Sequence, residues 1–504
     1  MQARYTSKRY PSMSALTVII GALFISQSAM ADSSFAFTAG DLVISTVSTY
    51  NGGGLDTASP IALQEFQLSA DGTAAASVGS MFLPQTSSGL NSAISGEYGS
   101  ASEGILQTSG DGRYLTIMGY GVNATDFNTA PLSTYGTAAL GQTTSLTAAD
   151  QTGTPVTTVS RVVALVGANG SVDTSTALTG VYNQNNPRSV ATVDGSSFYM
   201  AGQASSKTDP TQGVYVANRG ATTATVIDNS TDARVVSIAN NGSGNTLYVS
   251  RDFNPPSGGT QNFTNVSSLT NASGGLPTSS AGLVTTHITP PASALSSKGN
   301  NGSINLTASL ANGVNNARIG SFVYLSPEQY FFADPNTLYV ADSGQPKNGS
   351  ANAAALGEGG LQKWVMTNGT WTLAYNLSNG LNLVNNANVG VGGISGPGVT
   401  GLLGLTGKVV NGKVQLFATS YGLNELSQSY LYGITDNLSA TSLSQVSNEQ
   451  FSVLYTDPTG QMSIRGVAFA PAVPEPETYA LMLAGLGLLG FVARKRKMNL
   501  TAVA

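Results

Sequence analysis

Ile464-Arg465-Gly466-Val467-Ala468-Phe469-Ala470 alternates apolar and small residues as a strand does, yet it stands at the very end of the polar body of the chain. No partner strand follows it. Two earlier stretches open on arginine in the same way, Pro187-Arg188-Ser189-Val190-Ala191 and Ala233-Arg234-Val235-Val236-Ser237, and each of those is followed by a tight turn and a second strand. The missing partners of Ile464–Ala470 lie at the opposite end of the body. Asp41-Leu42-Val43-Ile44-Ser45-Thr46-Val47 reads as a second strand, and Leu63-Gln64-Glu65-Phe66-Gln67-Leu68 with the turn Asp71-Gly72 reads as a third. A unit assembled from both ends of a chain closes a ring.

Between the ends, one pattern recurs five times: a turn followed by an alternating strand that ends on a small residue. The turns are Asp111-Gly112, Asp194-Gly195, Asn241-Gly242, Asp334-Pro335-Asn336 and Asn411-Gly412, and the strands after them are built on Tyr114-Leu115, Phe198-Tyr199, Leu247-Tyr248, Leu338-Tyr339 and Leu416-Phe417. Asp-Gly and Asn-Gly supply the positive φ that tight hairpins require, and aromatic and β-branched residues suit the strands leaving them. Gln362 to Leu373 reads as an outer strand, a turn at Asn368-Gly369 and the first strand of the next unit. Meanders of three or four strands joined in this way are the blades of a β-propeller. The expectation is therefore an all-β, propeller-like body of six blades, with seven admitted by the uneven spacing, closed by its N- and C-terminal strands. Closure removes strand edges that would otherwise invite aggregation. Residues 122–158 and 253–316, rich in Ser, Thr, Asn and Gly, read as long surface loops, and the Gly-rich Val389 to Gly404 reads as a loop crossing one face.

Both termini carry address-like segments. Arg4, Lys8 and Arg9 precede an apolar run from Ala15 to Ile25, and Ala29 and Ala31 place small residues where a signal peptidase reads. Residues 1–31 are thus expected to be a signal peptide, leaving Asp32 first in a mature body that runs from 32 to 473. At the other end, Pro474-Glu475-Pro476 precedes the uncharged run 478–493 and the cluster Arg494-Lys495-Arg496-Lys497. Sixteen residues make about 24 Å of helix, a short single transmembrane segment, and the cations after it mark the cytoplasmic side. The order of the three parts resembles the PEP-CTERM sorting signal of Gram-negative bacteria. That resemblance covers residues 474–497 and implies that an exosortase cuts near the triplet, after which the body leaves the inner membrane for the cell surface or the medium. It further implies a role beside exopolysaccharide, in biofilm or floc.

Composition narrows the chemistry. Cysteine is absent, which removes disulfides, thiolate metal sites and a cysteine nucleophile. Seven of the 21 basic residues lie in the two terminal segments, so residues 32–476 hold 14 Lys and Arg against 25 Asp and Glu. An acidic body has no footprint for nucleic acid. Charged residues make up only 9% of the chain, so hydroxyls and amides must cover its surface, and these can hydrogen-bond sugars.

No catalytic motif is complete. His287 is the single histidine, which rules out a multi-imidazole zinc site and leaves an ordinary surface or turn residue as its reading. Gly393-Ile394-Ser395-Gly396-Pro397 has Pro where a nucleophile elbow needs Gly, and Gly401 to Val409 lacks both the first Gly and the Ser or Thr of a phosphate loop. Asp228-Asn229-Ser230-Thr231-Asp232 and Asp334-Pro335-Asn336 read as turns, although calcium stays open through such carboxylates and neighbouring carbonyls. No cofactor, catalytic residue or metal ligand is assigned. The expected function is a structural or binding role in an exopolysaccharide matrix; the alternative is a propeller-type polysaccharide hydrolase or lyase. Three or more Asp, Glu or Arg side chains around the channel mouth would favour the enzyme, and a lining of Gly, Ser and Val would count against it.

Overall fold

In the computed structural model, the described residues run from 35 to 472, apart from 49–53, 252–265, 290–302, 306–321, 345–358, 384–398, 423–427 and several gaps of one to three residues. Among them the strands form six sheets that each supply a four-stranded antiparallel meander. Blade 1 is assembled from both ends: Met462–Phe469 is innermost, followed outward by Leu42–Ser48, Ala62–Leu68 and Ala75–Phe82. Blade 2 runs outward through Gln107–Thr108, Tyr114–Tyr120, Arg161–Gly167 and Val172–Leu178. Blade 3 follows with Pro187–Ala191, Ser197–Gly202, Gly213–Asn218 and Thr225–Asp228. Blade 4 is Val236–Asn240, Asn245–Ser250, Val266–Thr270 and Val284–Thr289. Blade 5 is Pro327–Asp334, Thr337–Asp342, Gly360–Thr367 and Thr370–Leu377. Blade 6 is Val399–Val410, Lys413–Gly422, Tyr430–Asn437 and Ser452–Thr456. The six-bladed reading holds, and four of the quoted turns join an inner strand to the second strand of its blade, while Asn241-Gly242 lies outside the described residues. Blade 1 needs no such turn because its two inner strands come from opposite ends.

The turn chemistry is the expected one. Asn411 and Gly412 both take positive φ, 51° and 75°, as a two-residue hairpin between twisted strands demands. Asp194 stabilises its turn by accepting hydrogen bonds from the Ser196 backbone N–H and hydroxyl.

The second strand of each blade is buried on both faces and reads as a nearly continuous run of apolar and small residues, whereas an outer strand such as Ala75–Phe82 is largely exposed. In Leu42–Ser48, Leu42 and Ile44 pack with Phe417 and Leu431 of blade 6, whereas Val43 and Val47 pack with Leu115, Ile117 and Val162 of blade 2. The same arrangement repeats between the other blades, for example Leu165 against Phe198, Val214 against Leu247, Tyr248 against Trp364, and Tyr375 against Leu416. The core is a ring of interface clusters, and apolar burial at every junction supplies the main driving force.

Several expectations need correction. Thr370–Leu377 pairs with Gly360–Thr367 and is the outer strand of the same blade, not the start of the next. Residues 122–158 are not merely surface loop. They include short helices at Ala124–Thr129 and Leu132–Tyr135, and Val122, Phe127, Leu140 and Val159 form a small core with Tyr120 and Ala58. The apolar residues there are too sparse for a period to show. The insertion 253–316 contributes the two outer strands of blade 4. Within the Gly-rich stretch, residues 399–404 belong to the inner strand of blade 6, and 389–398 lie outside the described residues. Gly401 to Val409 is that strand, which accounts for its failure as a phosphate loop.

The inner strands approach one another at backbone distance. A Cβ on Gly466 would overlap the Leu106 backbone N and lie 2.7 Å from the Gly104 carbonyl oxygen. Ser45 ties the same junction, its hydroxyl donating to Gly104 O at 2.5 Å and accepting from the Gly466 N–H at 2.8 Å. Replacing Gly466 with alanine is expected to cost about 1–2 kcal/mol through overpacking, read as a lower urea midpoint. An unchanged midpoint would refute the close approach.

Candidate functional site

At the ends of the inner strands remote from the hairpin turns, a belt of buried charged side chains crosses blades 1 to 5. Arg465 comes from the closing strand, Glu97 and Glu103 from the segment leading into blade 2, Arg188 from blade 3, Asp232 and Arg234 from the entry to blade 4, and Glu328 from blade 5. All are no more than 8% exposed. The inner strands of successive blades all begin on this side, so residues far apart in sequence meet there.

Glu97 and Glu103 form the acidic part. The Glu97 N–H donates to Glu103 Oε2 at 3.3 Å, and the Tyr120 hydroxyl donates to Glu103 Oε1. Burial pushes the Glu103 carboxyl up to about 7, against the pull of Tyr120 and then of the Arg465 guanidinium. Burial, and then the neighbouring Glu103 charge, raises Glu97 well above the usual carboxylate range. Two carboxyls held this way each favour the protonated form. The cavity beside them is small and is lined by Ser45, Thr46, Glu97, Glu103, Gly104 and Arg465 among others. It has room for about one water.

Arg161, fully buried, braces this part without a carboxylate. Its guanidinium donates to the carbonyl oxygens of Thr143, Val159, Tyr182 and Asn185 and lies 4.8 Å from the centre of the Tyr120 ring. The insertion 122–158 is thereby fastened to blade 2 through Thr143.

The rest of the belt is paired internally. Arg188 donates to Asp232 at 3.0 Å, to Ala233 O at 3.2 Å and to Gln203. Arg234 lies 3.5 Å from Glu328, and Arg251 pairs with Asp228. Gln107 donates to the carbonyl oxygens of Val190 and Val236, at 2.9 and 2.7 Å, joining blades 2, 3 and 4 across the centre. Such pairing offsets part of the cost of burial, although Arg188 Nε and Asp232 Oδ1 find no hydrogen-bond partner among the described residues, and breaking a pair leaves a buried charge.

Arg188, Arg234 and Arg465 stood out in the sequence only as strand openers; Glu97, Glu103, Tyr120 and Glu328 did not stand out at all. With so few charged residues in the chain, a glutamate beside an apolar run, as Glu103 is beside Ile105-Leu106, was the one available signal. Asp228 accepts from Ser230 at 2.6 Å and from Arg251, while Asp334 accepts from the Asn336 N–H at 2.7 Å, so both act in turns and pairs. Among the described residues no three His, Asp or Glu side chains are grouped to hold a metal ion. His287 lies in the outer strand of blade 4, opposite Ser267, rather than in a turn. Ala29, Ala31, Ser395, Pro474, Glu475, Pro476 and Arg494 to Lys497 lie outside the described residues.

No curated protein matches the chain. Among solved structures, a gluconolactonase of Xanthomonas campestris is similar at 10% identity over 84% of this chain and 89% of its own, with a TM-score of 0.32. The xyloglucanase of the same organism is similar at 10% identity over 84% of this chain and 46% of its own, TM-score 0.33. The β-propeller domain of the Trilobed protease of Pyrococcus furiosus is similar at 7% identity over 80% and 93%, TM-score 0.25. Superpositions this loose say nothing about chemistry. Residues 472–497 match the PEP-CTERM protein-sorting motif, which implies export, exosortase processing and membrane-anchored sorting to the cell surface.

Proposed function

We propose that the chain is a sorted surface protein whose propeller body has a structural or binding role in an exopolysaccharide matrix. The observation that carries this reading is the motif at 472–497. In this reading residues 1–31 are removed by signal peptidase, 478–493 hold the chain in the inner membrane of a Gram-negative cell, and cleavage near Pro474-Glu475-Pro476 frees the body. The burial and mutual pairing of Arg188, Asp232, Arg234 and Glu328 support a scaffolding use of those charges. Contact with sugars then falls to the Ser, Thr and Asn surface.

Changing Pro474 and Pro476 together to alanine is expected to leave the protein in the inner membrane with its tail, while the wild-type chain loses Arg494 to Lys497 and moves outward. Mass spectrometry of cell fractions reads both ends. Retention of the intact tail by both proteins would remove the main support for this function.

The Glu97–Glu103 pair favours a second reading, a polysaccharide hydrolase or lyase, because such reactions use a protonated and an ionised carboxyl together. Turnover of matrix polysaccharide by the wild type and its loss in Glu103→Gln would establish it.

A further inference from the structure

We infer that the face of the propeller carrying the hairpin turns is the surface presented to the membrane protease that removes the tail. This rests on the sorting function proposed above and adds to it an orientation.

The closing strand Met462–Phe469 runs toward the hairpin-turn face, and the chain is still held after the strand ends. The Ala470 N–H donates to Asp41 O and the Ala472 N–H donates to Gly112 O, both at 2.8 Å. Gly112 belongs to the turn between the two inner strands of blade 2. The neighbouring turns are knitted to it: Gly110 and Asp111 donate to the carbonyl oxygens of Thr192 and Val193, at the entry of the blade 3 turn, and Arg113 donates to Asp194 O at 3.4 Å. The tail therefore leaves from within a continuous surface of turns.

Chain length does the rest. Pro474 follows the anchored Ala472 by two residues and Thr478 follows it by six. However those residues are arranged, they span at most about 7 Å and about 22 Å. An enzyme that grips the Pro474-Glu475-Pro476 segment must come within that distance of the Gly112 turn while the blade is closed. It cannot do so without meeting the hairpin-turn face, and the opposite face, with its charged belt, points away from the bilayer. The hairpin-turn face itself offers Asp71, Asp111, Asp194 and Asp334 beside Arg113 and Lys413. That mixture lacks the basic excess that binds anionic lipid, so the protease, not the bilayer surface, is the partner this face fits.

The absence of cysteine makes the test direct, since an introduced cysteine is labelled uniquely. Arg113→Cys and Lys413→Cys place labels at a half-exposed and an exposed position of the hairpin-turn face, at blades 2 and 6. Ser206→Cys places one on the opposite face, in the connection between the second and third strands of blade 3. The purified full-length variants are coupled to a large polyethylene-glycol maleimide and incubated with membranes of the producing cells, and tail removal is followed by mass spectrometry. Labelled Arg113→Cys and Lys413→Cys are expected to be cut several-fold more slowly than their unlabelled forms, with labelled Ser206→Cys cut at its unlabelled rate. Equal slowing at all three positions, or slowing at Ser206→Cys alone, overturns the orientation. Failure of the membranes to cut the unlabelled wild type overturns the sorting function itself, and the inference with it.

Discussion

Lys363→Met is expected to lower the stability of the propeller by about 3–5 kcal/mol, the usual result of removing one partner from a buried ion pair. Lys363 and Asp436 are both 0% exposed and lie 2.8 Å apart across the junction of blades 5 and 6. The Lys363 ammonium also donates to Tyr375 Oη at 3.0 Å and to the carbonyl oxygens of Asn437 and Leu438. Asp436 in turn accepts from the hydroxyls of Tyr339 and Tyr375. Without the lysine, the Asp436 charge stays buried with no cation beside it, held by the Tyr339 and Tyr375 hydroxyls and the Glu449 carboxyl. Adding Asp436→Leu is expected to recover part of the loss but not all, because Tyr339 and Tyr375 then lose their acceptor at about 1–3 kcal/mol for a buried group left unsatisfied. Urea unfolding reads the effect through the only two tryptophans, Trp364 and Trp371. Both are buried in the cluster between blades 4 and 5. Strand alternation sends Trp364 into that junction and its neighbour Lys363 into the next, so the reporter sits beside the change without touching it. A loss below about 1 kcal/mol, the value of an exposed pair, would show that the junction admits water.

What the sequence makes legible divides by range. Asn411-Gly412 and Asp194-Gly195 announce their turns because the requirement for positive φ is local, and the strands after them are rich in apolar and small residues because each residue meets a neighbouring blade directly. The closing strand is legible for a related reason: Ile464–Ala470 has the inner-strand pattern and nothing after it to pair with, so its partner had to lie elsewhere. The candidate site offers no such purchase. Glu103 meets Arg465 only because blade 1 closes beside blade 2, and Lys363 meets Asp436 only because consecutive blades stack. Neither contact leaves a spacing to read. The insertion 122–158 fails in the same way, since Phe127 and Leu140 find Tyr120 by folding back rather than by lying on a periodic face.

Stability should fall as pH rises from 5.5 to 8.5, and Glu103 should carry much of the fall. Its carboxyl titrates near 7 in the folded protein against an ordinary 4.5, with Glu97, Tyr120, Arg161 and Arg465 around it. Between those values the folded state holds a proton that the unfolded chain has released. Its contribution is therefore fully present below 4.5 and is lost as pH rises through about 7, in all about 3 kcal/mol, of which about 2 falls above pH 5.5. Glu449, raised to about 8 by burial and by its hydrogen bond with Asp436, acts in the same direction. Asp173, Asp228 and Asp457 are held below their ordinary value. What they contribute is complete above about pH 4 and is lost only in stronger acid, so it does not offset the slope. Glu103→Gln keeps an acceptor for the Tyr120 hydroxyl and removes the titration, so its urea midpoint should change less across the range. Starting at pH 5.5 keeps the protein above its isoelectric point near 5.0, where it would precipitate. Midpoints that rise with pH in the wild type would mean that Glu97 and Glu103 are ionised in the folded state. The cavity beside Arg465 would then be wet, and the pair would be open to a substrate rather than sealed inside the ring.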